Sequence, residues 1–305
     1  MSQRMEAITQ TELANYEKAP PPKLVEKSNF RYSFKLLPRE ERIAINSVYA
    51  FCSYIDYIVD GTPNEDELKK AIKFERLAWW DNEIEKIYAN EISNPLIKPF
   101  VAVINRFNIP KQYFFALIDG CRQDLIKDRY ATFEELKKYA YSVASVVGLI
   151  SIEIFGYKYE STKKYAIYLG YALQLTNILR DIKFDKDRGY IYLPKEDMDR
   201  FGYTEEDLKN EVYNDNFVEL MRFEAERVRE YYHKARTFLR PDEKPSIIAA
   251  EIMDAIYYRL LEKIELNDFN VFEKKIRVSP AHKILTTLKH WLSIQMFIRR
   301  LKKHP

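Results

Sequence analysis

Apolar residues recur every three to four positions along most of this chain, with charged residues between them. The first such pattern starts after Pro38, passes through Phe51 and ends at Gly61-Thr62-Pro63. Further helices are predicted over residues 65–91, 94–107, 111–127, 132–155, 161–186, 204–236, 245–266 and 281–303. No segment reads as a convincing strand, so the pattern predicts an all-α protein.

Residues 1–25 differ from the rest of the chain, because they are polar and contain Pro20-Pro21-Pro22. We expect a flexible N-terminal arm there, followed by a single helical domain over residues 26–305. Only seven glycines occur in 305 residues, which leaves few of the tight turns that a many-stranded sheet needs. Composition therefore supports a helical bundle.

Charge and cysteine content narrow the functional class. The chain has 49 basic and 46 acidic residues, and this near balance predicts no nucleic-acid partner. Cys52 and Cys121 lie inside apolar helical patterns, and no apolar leader opens the chain, so we expect a cytoplasmic protein without disulfides.

Any membrane contact is expected to be peripheral, since no apolar stretch reaches the roughly 18–20 uninterrupted residues that span a bilayer. In residues 283–303, apolar positions alternate with lysine and arginine. This pattern predicts a basic amphipathic helix that lies on the inner face of an anionic membrane. An ordinary packed C-terminal helix is the alternative.

In two pairs of aspartates, the two residues are four positions apart and therefore lie on the same face of a helix. Asp56 and Asp60 form the first pair, and Asp181 and Asp185 form the second. A further pair, Asp124 and Asp128, shows that such spacing also arises by chance, and any single pair is also explained by a solvated helix face. The pairs Asp56/Asp60 and Asp181/Asp185 differ from a chance pattern because the helices that carry them are otherwise apolar, so their carboxylates are expected to be buried. Burying carboxylates without cations is costly, so a cation is expected between the two pairs.

Magnesium is a suitable cation, because it prefers carboxylate oxygen and commonly bridges to substrate phosphates. Gln174 and Asn177 precede Asp181 and Asp185 on the same helix face, so these four residues form one polar stripe, and Asp56 and Asp60 form another. Zinc is not expected, since His233, His282, His290 and His304 show no ligand spacing. The stripes therefore predict a magnesium site for a diphosphate.

Several motifs together give the chain a specific resemblance over about residues 28–280. They are Leu36-Leu37-Pro38, Tyr49-Ala50-Phe51-Cys52, Asp56 to Asp60 and Thr176 to Asp181 continuing to Tyr192-Leu193-Pro194. In these motifs the chain resembles the squalene/phytoene synthase family. The resemblance implies a single-domain helical bundle of the isoprenoid synthase type, with a central cavity and the two aspartate pairs near its mouth.

The resemblance also implies roles for individual residues. Asp56, Asp60, Asp181 and Asp185 would be catalytic and, with Asn177, would hold about two or three Mg²⁺ ions. Substrate diphosphate would be bound by a further set: Gln174, Asn177, Arg180, Tyr257 and Lys274, the last with its neighbour Lys275.

Other positions depart from the family pattern. Ser53 and Tyr190 stand where the family usually carries arginine, and Ser145 stands at a frequent glycine. The arginine losses remove positive charge from the expected phosphate site. Four residues are candidates to replace it: Arg31, Lys35, Arg39 and Arg188.

The implied activity is the head-to-head joining of two prenyl diphosphates through a cyclopropylcarbinyl diphosphate. The run from Asp56 to Gly61 is closer to phytoene synthases, which favours geranylgeranyl diphosphate as substrate and no use of NADPH. Squalene, dehydrosqualene or presqualene diphosphate synthesis from farnesyl diphosphate is the alternative within the family. A non-catalytic relative with an assembly or scaffold role is the alternative outside enzymology.

Overall fold

The computed structural model describes residues 30–61, 67–91 and 97–303, with the side chains of 32–61, 69–91 and 97–296. Helices dominate these ranges, and the described residues contain no strand beyond an isolated bridge between Arg129 and Ile191. The predicted all-α fold class is confirmed. The predicted N-terminal arm, residues 1–25, lies outside the described residues.

The described chain folds into thirteen α-helices with short connections. In chain order they are α1 Phe30–Phe34, α2 Arg39–Asp60, α3 Glu67–Tyr88, α4 Lys98–Phe107, α5 Lys111–Gln123, α6 Phe133–Ala140, α7 Val146–Phe155, α8 Ser161–Asp187, α9 Lys195–Arg200, α10 Glu205–Lys209, α11 Asp215–Phe238, α12 Ile248–Glu265 and α13 Pro280–Lys303. A π-helical turn, Tyr141–Ser145, joins α6 to α7.

Helix α8 is the centre of the bundle. It packs against α11, α7, α12 and the π-helical turn, and it buries residues on several faces, including Tyr165, Ala172, Thr176 and Ile182. A helix that is apolar on most sides is stable only when other helices surround it. The polar stripe from Gln174 to Asp185 therefore lies on a helix that is otherwise inside the protein.

The main departure from the predicted helices lies in residues 195–238. One helix was predicted over 204–236, but the chain forms α10 and α11 with a break at Glu211, whose φ is +55°. Thr204 caps α10 and Asn214 caps α11 through side-chain oxygens, so two helix starts fall inside one apolar period. The short helices α1 and α9 were not predicted.

Small residues bring the π-helical turn very close to its neighbours. A Cβ on Gly170 of α8 would lie 2.5 Å from the Cα of Ser145, and one on Gly120 of α5 would lie 2.7 Å from the Ser142 Cβ. Ser145 Oγ also donates a hydrogen bond to the Ile167 carbonyl at 2.8 Å. The small side chains of Ser142 and Ser145 therefore allow the close approach of α5 and α8.

The continuous helical segment Phe133–Phe155 is long and apolar enough to cross a bilayer by length and composition. Half of its apolar window is buried inside the protein. The segment packs against α5 and α8. These contacts are those of a core helix in this bundle.

Candidate active site

A cavity of about 340 Å³ opens between the helices of the bundle. Its walls are mostly apolar and come from α2, α5, α7, α8 and α12, with Phe34 of α1; they include Leu117, Val147, Ile152, Phe155, Leu169 and Met253. Its polar lining residues include Ser53, Asp56, Gln174, Asn177 and Tyr257. The cavity is therefore apolar for most of its surface, with a polar group of residues drawn from three helices.

The first aspartate pair lies on the last two turns of α2. The Asp56 side chain is exposed to the open cavity, but the protein around that cavity shields the carboxylate from bulk water. Burial, with repulsion from Asp60, raises the pKa of Asp56 to about 7, against the opposing effect of Arg188. Asp60 forms an ion pair with Arg188 at 2.9 Å. The pair is thus only partly neutralised by protein cations.

The second pair, Asp181 and Asp185, lies on the last turns of α8, and the pKa values of its two carboxyls shift in opposite directions. Burial acts to raise the pKa of Asp181, but the Arg180 guanidinium and Lys275 hold that pKa below its ordinary value. Lys275 Nζ lies 2.7 Å from Asp181 Oδ1. Burial and the charge of Asp181 raise the pKa of Asp185 to about 7. Asp60 also raises it, which shows that the two pairs interact electrostatically.

The residues present fit a hard cation. Asn177 Oδ1 is buried and accepts no hydrogen bond, although it lies one turn before Asp181 on the same face of α8. A buried carbonyl oxygen without a donor is costly unless a cation or water meets it. Among the described residues, no three acidic, histidine or cysteine side chains converge on one point. This donor set suits magnesium, which binds through one or two carboxylates and completes its shell with water and substrate phosphate.

The predicted phosphate-binding residues occupy different positions. Arg180 contacts both Asp181 and Tyr257, and it is mostly buried. Gln174 and Tyr257 line the cavity. The exposed Lys274 lines a surface groove, and Lys275 is the residue of the basic pair that reaches Asp181.

Asp124 lies beside this site, although its spacing to Asp128 looked like a chance pattern. The hydroxyls of Tyr139 and Tyr192 donate to its carboxylate at 2.9 Å and 3.1 Å, and Tyr190 donates to its backbone carbonyl at 3.0 Å. Burial raises the pKa of Asp124 to about 7, the two tyrosine hydroxyls oppose this, and Asp60 and Asp56 add to it. Asp128, by contrast, is exposed. Sequence spacing cannot reveal the cluster, because three separate segments of the chain build it.

Comparison with known proteins decides the family. The sequence profile of the squalene/phytoene synthase family matches residues 25–282. The 15-cis-phytoene synthase of Synechocystis is 35% identical over 273 residues, which cover 86% of this chain and 80% of that protein. The chain belongs to the squalene/phytoene synthase family.

Further relatives and solved structures agree with this membership. The phytoene synthase of Arthrospira platensis is 35% identical over 84% of this chain and 85% of its own length. The crystal structure of the squalene synthase HpnC from Alicyclobacillus acidocaldarius superposes with a TM-score of 0.72 at 26% identity, covering 81% of this chain and 91% of that one. A dehydrosqualene synthase structure shares the fold, with a TM-score of 0.77 at 24% identity. The predictions of an isoprenoid synthase bundle and of a prenyltransferase enzyme are confirmed.

The structure shows which of the four candidate cations lies near the aspartates. Arg188 follows the last turn of α8 and forms an ion pair with Asp60 at the end of α2, whereas Lys35 and Arg39 are exposed and form no ion pair with the described residues. The side chain of Arg31 lies outside the described residues. Gly189, with φ of +91°, reverses the chain directly after Arg188, and the Tyr190 N–H returns to the Asp185 carbonyl at 2.9 Å. Arg188 is the candidate that meets the aspartates.

Proposed function

We propose that this enzyme joins two geranylgeranyl diphosphates head to head, with Mg²⁺, to form phytoene through a cyclopropylcarbinyl diphosphate. The observation that carries the proposal is the polar end of the cavity, where Asp56 and the unpartnered Asn177 oxygen adjoin mostly apolar walls. The other three aspartates do not line the cavity, but Asp60 lies close enough to Asp56 and to Asp185 to raise the pKa of both. Relatives that match over most of this chain are phytoene synthases. Both facts favour a substrate with a diphosphate head and a long hydrocarbon tail.

The mouth residues hold the diphosphate end. Asp56, Asp60, Asp181, Asp185 and Asn177 would bind magnesium, which neutralises the diphosphate as it leaves. The Arg180 guanidinium and the Lys275 ammonium supply further positive charge at the same place. Electrostatic stabilisation of a leaving group is strongest when the charges are already in position.

The cavity walls protect the carbocation that ionisation leaves behind. An allylic cation reacts with any nucleophile that reaches it, so water must be excluded. The wall residues from α7 and α8, such as Ile152, Phe155 and Leu169, present only hydrocarbon to the cavity. Proton loss then ends the reaction and yields an unreduced hydrocarbon.

Product analysis tests the substrate and the metal. Purified protein is incubated separately with geranylgeranyl and farnesyl diphosphate, with Mg²⁺ or with EDTA, and the extracts are analysed by mass spectrometry. We expect phytoene from the C20 substrate with Mg²⁺ only. Squalene or dehydrosqualene from farnesyl diphosphate, without C20 activity, would overturn the substrate assignment and leave the family assignment in place.

The end of the reaction is tested with NADPH that carries deuterium at the nicotinamide C4. We expect neither the rate nor the product to change when it is added. Deuterium in the hydrocarbon would require hydride transfer and would contradict termination by proton loss.

We further propose a cytoplasmic enzyme that contacts the membrane peripherally through α13. The substrate tails and the product are hydrophobic, so both partition into lipid. An enzyme at the bilayer surface can take up one and release the other without exposing either to water.

A further inference from the structure

Helix α13 presents its apolar side to solvent. Ile284, Leu285, Leu288, Trp291, Leu292 and Met296 are all exposed, and they are half of the large apolar side chains that are exposed in the described structure. With 3.6 residues per turn, these six positions fall within an arc of about 140° on the helix. They therefore form one continuous stripe, which we call the outer stripe.

The opposite side of α13 packs against α12 and α1. Within residues 280–296, the part of α13 whose side chains the structure describes, Thr286, Thr287 and His290 are half-buried on that side, and Ile294 is the only buried apolar side chain. His290 Nδ1 hydrogen bonds to the Thr286 carbonyl at 2.9 Å. A surface helix normally turns its apolar stripe toward the core, so the described part of α13, residues 280–296, has the reverse orientation.

A second cavity, of about 240 Å³, lies at the edge of the outer stripe. Its lining includes Lys244, Glu251, Lys289, His290 and Ser293. Lys244 Nζ is 3.0 Å from Glu251, which neutralises that pair. Lys289 is exposed and forms no ion pair with the described residues, and with Ser293 it lies between the cavity and the stripe. The cavity thus offers hydrogen-bond donors and net positive charge.

We infer that the outer stripe of α13 inserts into the surface of an anionic bilayer, while the adjoining cavity binds the phosphate of a lipid headgroup. This inference deepens the peripheral membrane contact proposed above. The stripe supplies insertion of apolar side chains, with Trp291 suited to the boundary between hydrocarbon and headgroups. Lys289 and Ser293 supply donors for a phosphate oxygen.

The charge of the whole helix supports this occupant. Residues 280–305 contain no aspartate or glutamate, and they include six basic residues: Lys283, Lys289, Arg299, Arg300, Lys302 and Lys303. Such a segment is attracted to anionic lipid by about 1 kcal/mol for each basic residue at the surface. Apolar insertion and positive charge thus lie on the same element.

Two other occupants fit less well. From Ile284 to Met296 the stripe is about 18 Å long and about 10 Å wide, or roughly 180 Å², against the roughly 800 Å² per partner of a stable dimer. The N-terminal residues 1–29 are mostly polar or charged and include Pro20-Pro21-Pro22. Neither a second copy nor this segment matches an apolar stripe beside a basic cavity.

Vesicle sedimentation tests the stripe. The full-length protein is mixed with phosphatidylcholine vesicles that contain or lack phosphatidylglycerol. We expect salt-sensitive binding only to the anionic vesicles, and a loss of at least about tenfold in affinity for Leu288→Asp and for Trp291→Asp. Leu266→Asp is the matched control, because Leu266 is 73% exposed but lies outside α13 and outside the outer stripe. It should bind like the wild type.

The phosphate site is tested with Lys289→Gln combined with Ser293→Ala. We expect this variant to bind anionic vesicles several-fold more weakly and with a smaller dependence on salt. Calorimetry with inorganic phosphate and with glycerol 3-phosphate forms the second arm. Tight binding of either small anion, without vesicle binding, would assign the cavity to a free phosphate and overturn the lipid assignment.

Other results would also refute the inference. These are equal sedimentation of Leu288→Asp and wild type, or a concentration-dependent dimer that Leu288→Asp abolishes. The vesicle assay uses no substrate, so it remains valid even where the proposed condensation is not observed. With detergent-dispersed substrate, Leu288→Asp should retain wild-type turnover, which separates docking from catalysis.

Discussion

At the residue scale, the negative charges of the four aspartates beside the apolar cavity are neutralised by protein cations to different extents. Arg180 and Lys275 keep the pKa of Asp181 low, so that carboxylate is ionised before any ligand binds. The pKa values of Asp56 and Asp185 rise to about 7, because burial and like charge outweigh Arg188. The cavity mouth is thus short of positive charge until a cation binds.

The first prediction follows from this shortage. Asp56→Asn and Asp181→Asn should each lower turnover at least about a hundredfold, because each removes a ligand that stabilises the leaving diphosphate. Asp128→Asn is the matched control, since Asp128 is exposed and should leave turnover unchanged. Steady-state rates at saturating Mg²⁺ measure both. Full activity in either site variant would contradict the metal assignment.

The second prediction concerns Arg188, whose guanidinium lies 2.9–3.0 Å from the Asp60 carboxylate oxygens. Arg188→Gln should lower kcat/KM at least about tenfold, because it removes positive charge that can move from Asp60 to a phosphate oxygen. Ser53→Arg in the same variant should restore part of the loss by returning a cation to the cavity lining. Unchanged kinetics in Arg188→Gln would show that another cation serves the diphosphate.

The third prediction is a pH effect at Asp124. Its pKa is about 7 in the folded protein and about 3.9 when unfolded, so between these values the folded state holds a proton that the unfolded state has released. Stability from this group is therefore full at low pH and falls as pH rises toward 7. Asp124→Asn removes this dependence.

Urea unfolding in EDTA measures that difference. The free energy of unfolding of Asp124→Asn minus that of the wild type should increase by roughly 2 kcal/mol as the pH rises from about 5 to about 8. The amide can still accept a hydrogen bond from Tyr139 or Tyr192. Parallel pH profiles for the two proteins would show that the carboxyl ionises in the folded state as readily as in the unfolded one.

At the scale of single elements, the π-helical turn Tyr141–Ser145 controls how closely α8 approaches. Val143 and Ala144 of this turn line the cavity, while Ser142 and Ser145 contact glycines on α5 and α8. A π-helical turn adds a residue to the helix and changes the direction of the side chains that follow. One short segment therefore serves both helix packing and the cavity wall.

The fourth prediction tests this close approach. Gly170→Ala should destabilise the protein by roughly 1–3 kcal/mol, because the new Cβ would lie 2.5 Å from the Ser145 Cα. Helix propensity alone predicts the opposite sign, a gain of about 1 kcal/mol. Denaturant unfolding gives the sign directly, and a stabilised variant would show that the turn moves freely.

At the scale of the whole molecule, the bundle encloses a cavity whose polar mouth is built by fewer helices than its apolar walls. The mouth takes residues from α2, α8 and α12, and the walls add α5 and α7. In the proposed reaction the walls, and not the aspartates, would limit the length of the prenyl tail. Ser151 of α7 lines this wall, and its hydroxyl donates to the Val147 carbonyl at 2.7 Å.

The fifth prediction uses that wall. Ser151→Phe should reduce turnover of geranylgeranyl diphosphate more than that of farnesyl diphosphate, and shift their ratio at least about tenfold, because the added ring fills cavity volume. Ile126→Phe, at an exposed position, is the control and should leave the ratio unchanged. Competition between the two substrates measures the ratio, and an unchanged ratio would mean that Ser151 does not limit tail length.

The sequence by itself determined the helical fold, most helix boundaries and the two aspartate stripes. Periodicity of 3.6 is a local property, so Asp56 and Asp60 could be placed on one face without any tertiary information. Local signals were insufficient near Glu211, where the caps at Thr204 and Asn214 divide one apolar period into two helices.

Only the tertiary structure decided which side chains meet. Asp124 accepts hydrogen bonds from tyrosines of distant segments, Lys275 of the pair Lys274 and Lys275 is the one that reaches Asp181, and Arg188 pairs with Asp60 across 128 positions of sequence. The outward orientation of α13 was also undetermined, because amphipathic spacing shows that a helix has an apolar face and does not show which way the face turns. Contacts between distant segments depend on how helices pack, and packing is a property of the whole chain.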